Sequence, residues 1–199
     1  MLQPVPTADS SAEVAEWWRL VDLCLPSHDD CGAITFTASD AEHIEADWDR
    51  WLTGVFLPVL HPSFAALQEA ATLQDIDALL AGDRALGAAL SAEAARTSLV
   101  AGRHLLLSFD PPQGAKLLEK MREAAAMEKS FGHLATVFAV RSRIFHLPFF
   151  QAAGALLLAE CVLGADAAGL TLPADRSVAL LQRALERVSA LPAAQLMAV

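Results

Sequence analysis

The chain has 199 residues, of which 54% are hydrophobic and only 19% are charged, so it can bury one good core but has few charges to cover a globule. Its 14 Lys and Arg form no cluster, and the net charge of -10 excludes a nucleic-acid-binding surface. The first residues lack the pattern of a secretion signal. Three cysteines without a CxxC pair fit a reducing compartment, so we expect a cytoplasmic protein that does not bind membranes.

Glycine and proline divide the chain into segments rich in Ala, Leu, Glu, Arg and Gln, the composition that helices favour. We therefore predict an all-α, single-domain helical bundle of about seven to ten helices. Residues 1–11 are predicted to form a flexible N-terminal arm, and residues 12–199 the helical domain. The apolar excess predicts a surface that meets a partner, and a protein that is not monomeric on its own.

The helices are predicted in chain order from apolar spacing and breakers. The first covers residues 12–25 and ends at Pro26, and the second begins after Ser39 or Asp40 and ends or bends at Pro58 and Pro62. A third is predicted over residues 63–81, with a break at Gly82 and Asp83.

The second half of the chain predicts five more helices. Ser91 and Glu93 begin a helix that runs to residue 109, and helices over 114–131 and 132–145 follow. The segment 147–165 is apolar on all sides and interrupted by Glu160, which predicts a central core helix rather than a membrane span. Pro173 and Asp175 open a last amphipathic helix.

The sequence shows no clear mark of catalysis. The six histidines stand far apart, and the group His28-Asp29-Asp30-Cys31 is predicted to be a solvated turn, because four adjacent side chains cannot easily converge on one ion. Phosphate-binding, dinucleotide-binding and hydrolase motifs are absent from the sequence. We predict no catalytic residue, no metal site and no cofactor.

Residues 93–107 mix small and charged side chains on an otherwise apolar helix. Ser98 and Gly102 are four residues apart and let another helix approach closely, while Glu93 and Arg96 can pair at one-turn spacing. Periodicity alone favours ordinary helix packing for this segment.

The order of several short motifs resembles the urease accessory proteins of the UreF type, over roughly residues 17–188. Residues 20–26 read L-x-D-x-x-L-P, and residues 93–106 match a central E-x4-S-x3-GR-x-LL motif at the same spacing. His133 and Phe138 are similar to an H-x4-F/G element, and the apolar helix together with residues 167–181 lies where the family keeps an alanine-rich helix and a C-terminal motif.

Two segments depart from that family. The loop after Pro26 is longer and keeps Gly32, Phe36 and Ser39 in order, but it has no G-L-E. Residues 169–175 lack the arginine and the Gly-Gln pair of the family's A-V-R-L-x-P-L-G-Q. These positions are associated with partner contact, so the departures bear on which partners this chain binds.

The resemblance implies a non-catalytic homodimer that binds a companion urease accessory protein and a nickel-carrying GTPase while nickel is inserted into urease. The residues that it marks for partner binding are Glu93, Ser98, Gly102, Arg103, His133, Pro173 and Arg176.

Two alternatives stay open. One is a helical-bundle enzyme or small-ligand binder with His104 or His133 in a pocket of phenylalanines; these are Phe138, Phe145, Phe149 and Phe150. The other is a relative of the UreF fold that has lost the urease role.

Overall fold

The computed structural model describes residues 10–26, 32–108, 116–128 and 131–191, and the regular structure in these ranges is entirely helical. The all-α prediction is therefore confirmed. The helices are α1 (Ser10–Cys24), α2 (Ile44–Trp51), a π-helical segment (Leu52–Leu60), α3 (His61–Leu73), α4 (Ile76–Ala89), α5 (Ala92–Ser108), α6 (Lys116–Met127), α7 (Leu134–Ile144), α8 (Phe149–Asp166) and α9 (Ala174–Ser189).

Several predicted boundaries move. Helix α1 begins at Ser10, so the last two residues of the predicted arm are helical, and residues 1–9 lie outside the described residues. The group at 28–31 and the predicted helix ends at 109 and 114 also lie outside them. Ser91 caps α5 as predicted, because its hydroxyl oxygen accepts from the amide of Ala94 at 3.2 Å.

Helix α2 does not end at the two prolines that follow it. The chain continues through the π-helical segment, which contains Pro58, directly into α3, where Pro62 occupies the first turn. A proline lacks an N–H donor and its ring disturbs an α-helical turn, while a wider π-helical turn changes the hydrogen-bond pairing around it. Helical structure is therefore continuous over residues 44–73.

The predicted break at Gly82 and Asp83 is wrong, because both residues lie inside α4. The real break is at Gln74, which has a left-handed φ of 56°, and at Asp75, whose carboxylate caps α4 by accepting from Ala78 at 3.0 Å. Gly82 lets the Leu67 side chain of α3 approach closely, since a Cβ there would lie 2.9 Å from its terminal methyl group. A contact with another helix thus explains a glycine that resembles a helix breaker.

Helices α7 and α8 form the centre of the bundle. Helix α7 packs against α3 and α5, while α8 packs against α1 and α9. Gly154 of α8 leaves room for the Trp17 ring of α1, because a Cβ would lie 2.4 Å from that ring. Among the described helices, α8 is the one long and apolar enough to cross a bilayer, yet 72% of it is buried inside the protein. Such burial is typical of the core helix of a soluble protein and agrees with the predicted core helix.

Candidate functional site

The first turn of α7 is held by a carboxylate from α4. Asp83 is fully buried, and its two oxygens accept from the backbone amides of Gly132 at 3.0 Å and His133 at 2.9 Å. The hydroxyl of Thr136 also donates to Asp83. A negative charge at this position satisfies amides that have no partner within the helix and lies at the positive end of the helix dipole.

Helix α5 completes the contact with the same turn. The hydroxyl oxygen of Ser98 accepts from the amide of Leu134 at 3.2 Å. Gly102 lies one turn further along α5, where a Cβ would stand 2.2 Å from the carbonyl oxygen of Gly132. No residue larger than glycine fits there without moving the backbone of one helix.

Arg103 binds the end of α6 that precedes this turn. Its Nη1 donates to the carbonyl oxygens of Ala125 at 2.9 Å, Glu128 at 3.3 Å and Phe131 at 3.2 Å. A cation at the C-terminal end of a helix is favoured by the helix dipole. We call Asp83, Ser98, Gly102, Arg103 and the turn 131–134 the α7 joint.

Four of the seven predicted partner-binding residues therefore meet at the α7 joint, where they pack and cap helices. Glu93 lies apart, exposed in the first turn of α5 and on the edge of an open cleft of about 620 Å³. It forms no ion pair with Arg96 in the described part of the chain, contrary to what their spacing suggests.

The remaining two predicted residues lie at the start of α9. Pro173 is exposed and immediately precedes the helix. Arg176 donates to the carbonyl oxygen of Ala41 at 3.2 Å and lies 3.7 Å from a carboxylate oxygen of Glu45. This pair therefore belongs to the contact between α9 and the start of α2.

His133 lines a cavity between α4 and α5 of about 470 Å³. Burial lowers the pKa of its imidazole, and the negative charge of Asp83 opposes that shift. None of the four predicted phenylalanines lines this cavity. His104 lies on a separate cleft of about 330 Å³, beside Val100 and Ala101.

The four phenylalanines take other places. Phe138 packs near Phe64 with ring centroids 6.2 Å apart, and Phe149 meets the edge of His61 at 5.3 Å. The guanidinium of Arg141 lies over Phe145 at 5.7 Å, and Phe150 is exposed. The predicted aromatic pocket around a histidine is wrong because these rings fill the core or face outward.

Glu160, a carboxylate buried within α8, has a role that the sequence pattern did not predict. Its oxygens accept from the amides of Thr35 and Phe36, both at 2.9 Å, and from the Thr35 hydroxyl at 2.8 Å. Burial raises the pKa of Glu160 to about 7, although these hydrogen bonds oppose the shift. Glu160 thus fixes the extended segment 33–38 against the core. The sequence signal for this role was an acidic residue in the middle of an apolar helix.

Arg141 fixes the C-terminal end of α1 against the core. This residue is buried in α7 and donates to the carbonyl oxygens of Cys24 at 2.7 Å and Leu23 at 2.8 Å. Burial lowers its pKa to about 10, so the guanidinium stays charged at neutral pH. Cys24 is itself buried, which raises the pKa of its thiol to about 12, so this cysteine is an inert core residue.

The described residues contain no group of three or more His, Cys, Asp or Glu side chains placed to hold a metal ion. No protein-family model matches the chain, and no curated protein matches it. The candidate functional site is therefore the α7 joint, where the motif residues make their buried hydrogen bonds.

Proposed function

We propose that this protein is a non-catalytic, cytoplasmic assembly protein that acts as UreF-type proteins do. In this proposal a homodimer binds a companion urease accessory protein and a nickel-carrying GTPase, and so assists nickel insertion into urease. The proposal follows from the ordered motifs of the sequence.

The convergence of the central motif on the α7 joint is the observation that carries the proposal. Ser98, Gly102 and Arg103 come from one motif and contact the turn 131–134, and His133 of another motif is part of that turn. Motifs shared only by chance would have no reason to meet in space. Their physical roles, close approach and helix capping, support a shared architecture with the UreF type.

If the motif residues build the architecture, the partner must contact exposed residues beside them. Most of the apolar excess is buried, but the outer face of α5 carries Val100, 64% exposed, and Leu107, 56% exposed. Seven residues separate them, so both side chains lie on one stripe two turns apart. Exposed apolar groups on a rigid helix are typical of protein–protein contacts.

The direct test is capture of the companion accessory protein and the GTPase from the same organism by the purified full chain. We expect both to be captured, and light scattering to report a dimer. Capture of neither protein would refute the function while leaving the fold untouched, and would favour a relative without the urease role.

The contact surface has its own test with a matched control. Val100→Glu and Leu107→Glu should each weaken capture at least tenfold, whereas Met127→Glu should not, although Met127 is the more exposed at 90%. We also expect Arg103→Ala to weaken capture more than Arg183→Ala, through disturbance of the α7 joint. Equal effects within either pair would reject the corresponding assignment.

A further inference from the structure

The cavity between α4 and α5 has small and apolar side chains on both of these helices and an opening to solvent. Gly87 and Ala88 contribute the α4 wall, and Ala95 and Leu99 the α5 wall. Its volume of about 470 Å³ lies within the range of small-molecule sites. Small and apolar walls leave room for an apolar body of a few carbon atoms.

A buried imidazole without a hydrogen bond lines this cavity. His133 is only 5% exposed, and its Nδ1 has no hydrogen-bond partner in the described parts of the chain. Buried polar atoms are almost always paired, so an unpaired one marks a place where a ligand or water can bind. Gly87 admits the ring, because a Cβ there would lie 2.5 Å from Nε2.

Two arginines also line the cavity. Arg84 is already held by the carboxylate of Glu128, with its Nη2 at 2.7 Å from Oε2. Arg96 is exposed and makes no hydrogen bond or ion pair with any described residue. Its guanidinium can therefore bind the carboxylate of a ligand without first breaking an ion pair to a described residue.

We propose that this cavity binds a small organic anion, a monocarboxylate whose head group meets Arg96 and His133 and whose apolar body lies against Ala88, Ala95 and Leu99. Arg96 also borders the cleft that contains Val100 of the exposed stripe, so the two surfaces are neighbours, but anion binding does not depend on the proposed assembly function. Binding pairs the buried imidazole and draws α4, α5 and the turn before α7 together.

The test uses hexanoate as the probe on the full chain, followed by NMR titration at neutral pH. Hexanol and hexylammonium are the neutral and cationic probes of matched length. We expect hexanoate to bind at least tenfold more tightly than hexanol, and hexylammonium not to bind. Equal affinity for hexanoate and hexanol, or no saturable binding of hexanoate, would overturn the proposal.

Variants locate the site. Arg96→Gln should weaken hexanoate binding at least tenfold, and Gly87→Ala should do the same by displacing the His133 ring. Arg183→Gln, on the exposed face of α9, should leave the affinity unchanged. Far-UV circular dichroism confirms that each variant is folded, and unaltered binding in both Arg96→Gln and Gly87→Ala would place the anion elsewhere and refute the site.

Discussion

Two buried carboxylates perform similar work in different surroundings. Asp83 and Glu160 are 0% and 1% exposed, and each accepts three hydrogen bonds from a segment far away in sequence. Asp83 binds the first turn of a helix, where the helix dipole favours a negative charge. Glu160 binds an extended segment that offers no such dipole, and burial keeps its pKa high.

The difference lies in what each partner segment offers, because the start of a helix adds a favourable dipole to the hydrogen bonds of Asp83 and the extended segment 33–38 adds none to those of Glu160. Three hydrogen bonds do not by themselves hold the pKa of the buried Glu160 at its ordinary value. Each of the two carboxylates attaches one distant segment to the core, Asp83 the start of α7 and Glu160 residues 33–38, and variants of each should show how much that attachment stabilises the fold.

The largest effect is expected for Asp83→Ala, which leaves three buried donors without an acceptor. We expect a loss of about 3–5 kcal/mol in the free energy of unfolding, measured by urea denaturation. Asp83→Asn keeps one acceptor oxygen and should lose less. Asp166→Ala, on an exposed site of α8, should change stability by less than about 0.5 kcal/mol. A similar loss in both alanine variants would remove the special role of Asp83.

The second effect is a pH dependence caused by Glu160. Because its folded pKa of about 7 lies above its ordinary value of 4.5, the folded state binds more protons between these values. The contribution of Glu160 to the free energy of unfolding therefore falls as pH rises from 4.5 towards 7, by up to about 3 kcal/mol.

Denaturation of the wild type and Glu160→Gln across that pH range measures the contribution. The difference in stability between the two proteins should change with pH, whereas the exposed control Glu186→Gln should stay parallel to the wild type. Parallel curves for Glu160→Gln would show that Glu160 titrates normally.

The third effect concerns Arg103, whose guanidinium donates to three carbonyl oxygens. Arg103→Ala should cost about 2 kcal/mol in unfolding free energy, because those acceptors lose a charged donor. Arg183→Ala removes only an exposed ion pair with Glu45 and should cost less than about 1 kcal/mol. The assignment fails if thermal denaturation ranks the two variants in the opposite order.

The smallest effect is expected for Ser98→Ala, which removes one acceptor from the amide of Leu134. We expect a loss of about 1 kcal/mol, typical of a lost helix cap. Ser189→Ala removes a hydroxyl that bonds within its own helix and should be nearly neutral. Hydrogen exchange at the first amides of α7 should quicken only in Ser98→Ala; unchanged exchange would contradict the capping role.

The helical class, the cap at Ser91 and the core position of α8 could be predicted because each depends on neighbouring residues. The break between α3 and α4 was misplaced because Gly82 has the local signature of a breaker, while its packing against Leu67 is a tertiary fact. Asp75 carries an equally good local signal, because aspartate is a common N-cap residue, and it does cap α4.

The candidate site was predictable in its members but not in its physical role. Spacing identified Ser98 and Gly102 as a close-approach pair, yet nothing local indicates that their neighbour is the turn before α7. Asp83 and Glu160 reach partners 49 and 125 residues away. Such pairings depend on the whole topology, which neither periodicity nor motif spacing contains.

The hydrogen bonds between Arg141 and the end of α1 join two segments that are synthesised far apart in time. The carbonyl of Cys24 leaves the ribosome 117 residues before the arginine that binds it. At translation rates of about 5–20 residues per second, the interval is on the order of ten seconds. Throughout that time the apolar side of the first helix, with Trp17 and Val21, has neither α7 nor α8 to cover it, so this helix reaches its native packing only after most of the chain has been made.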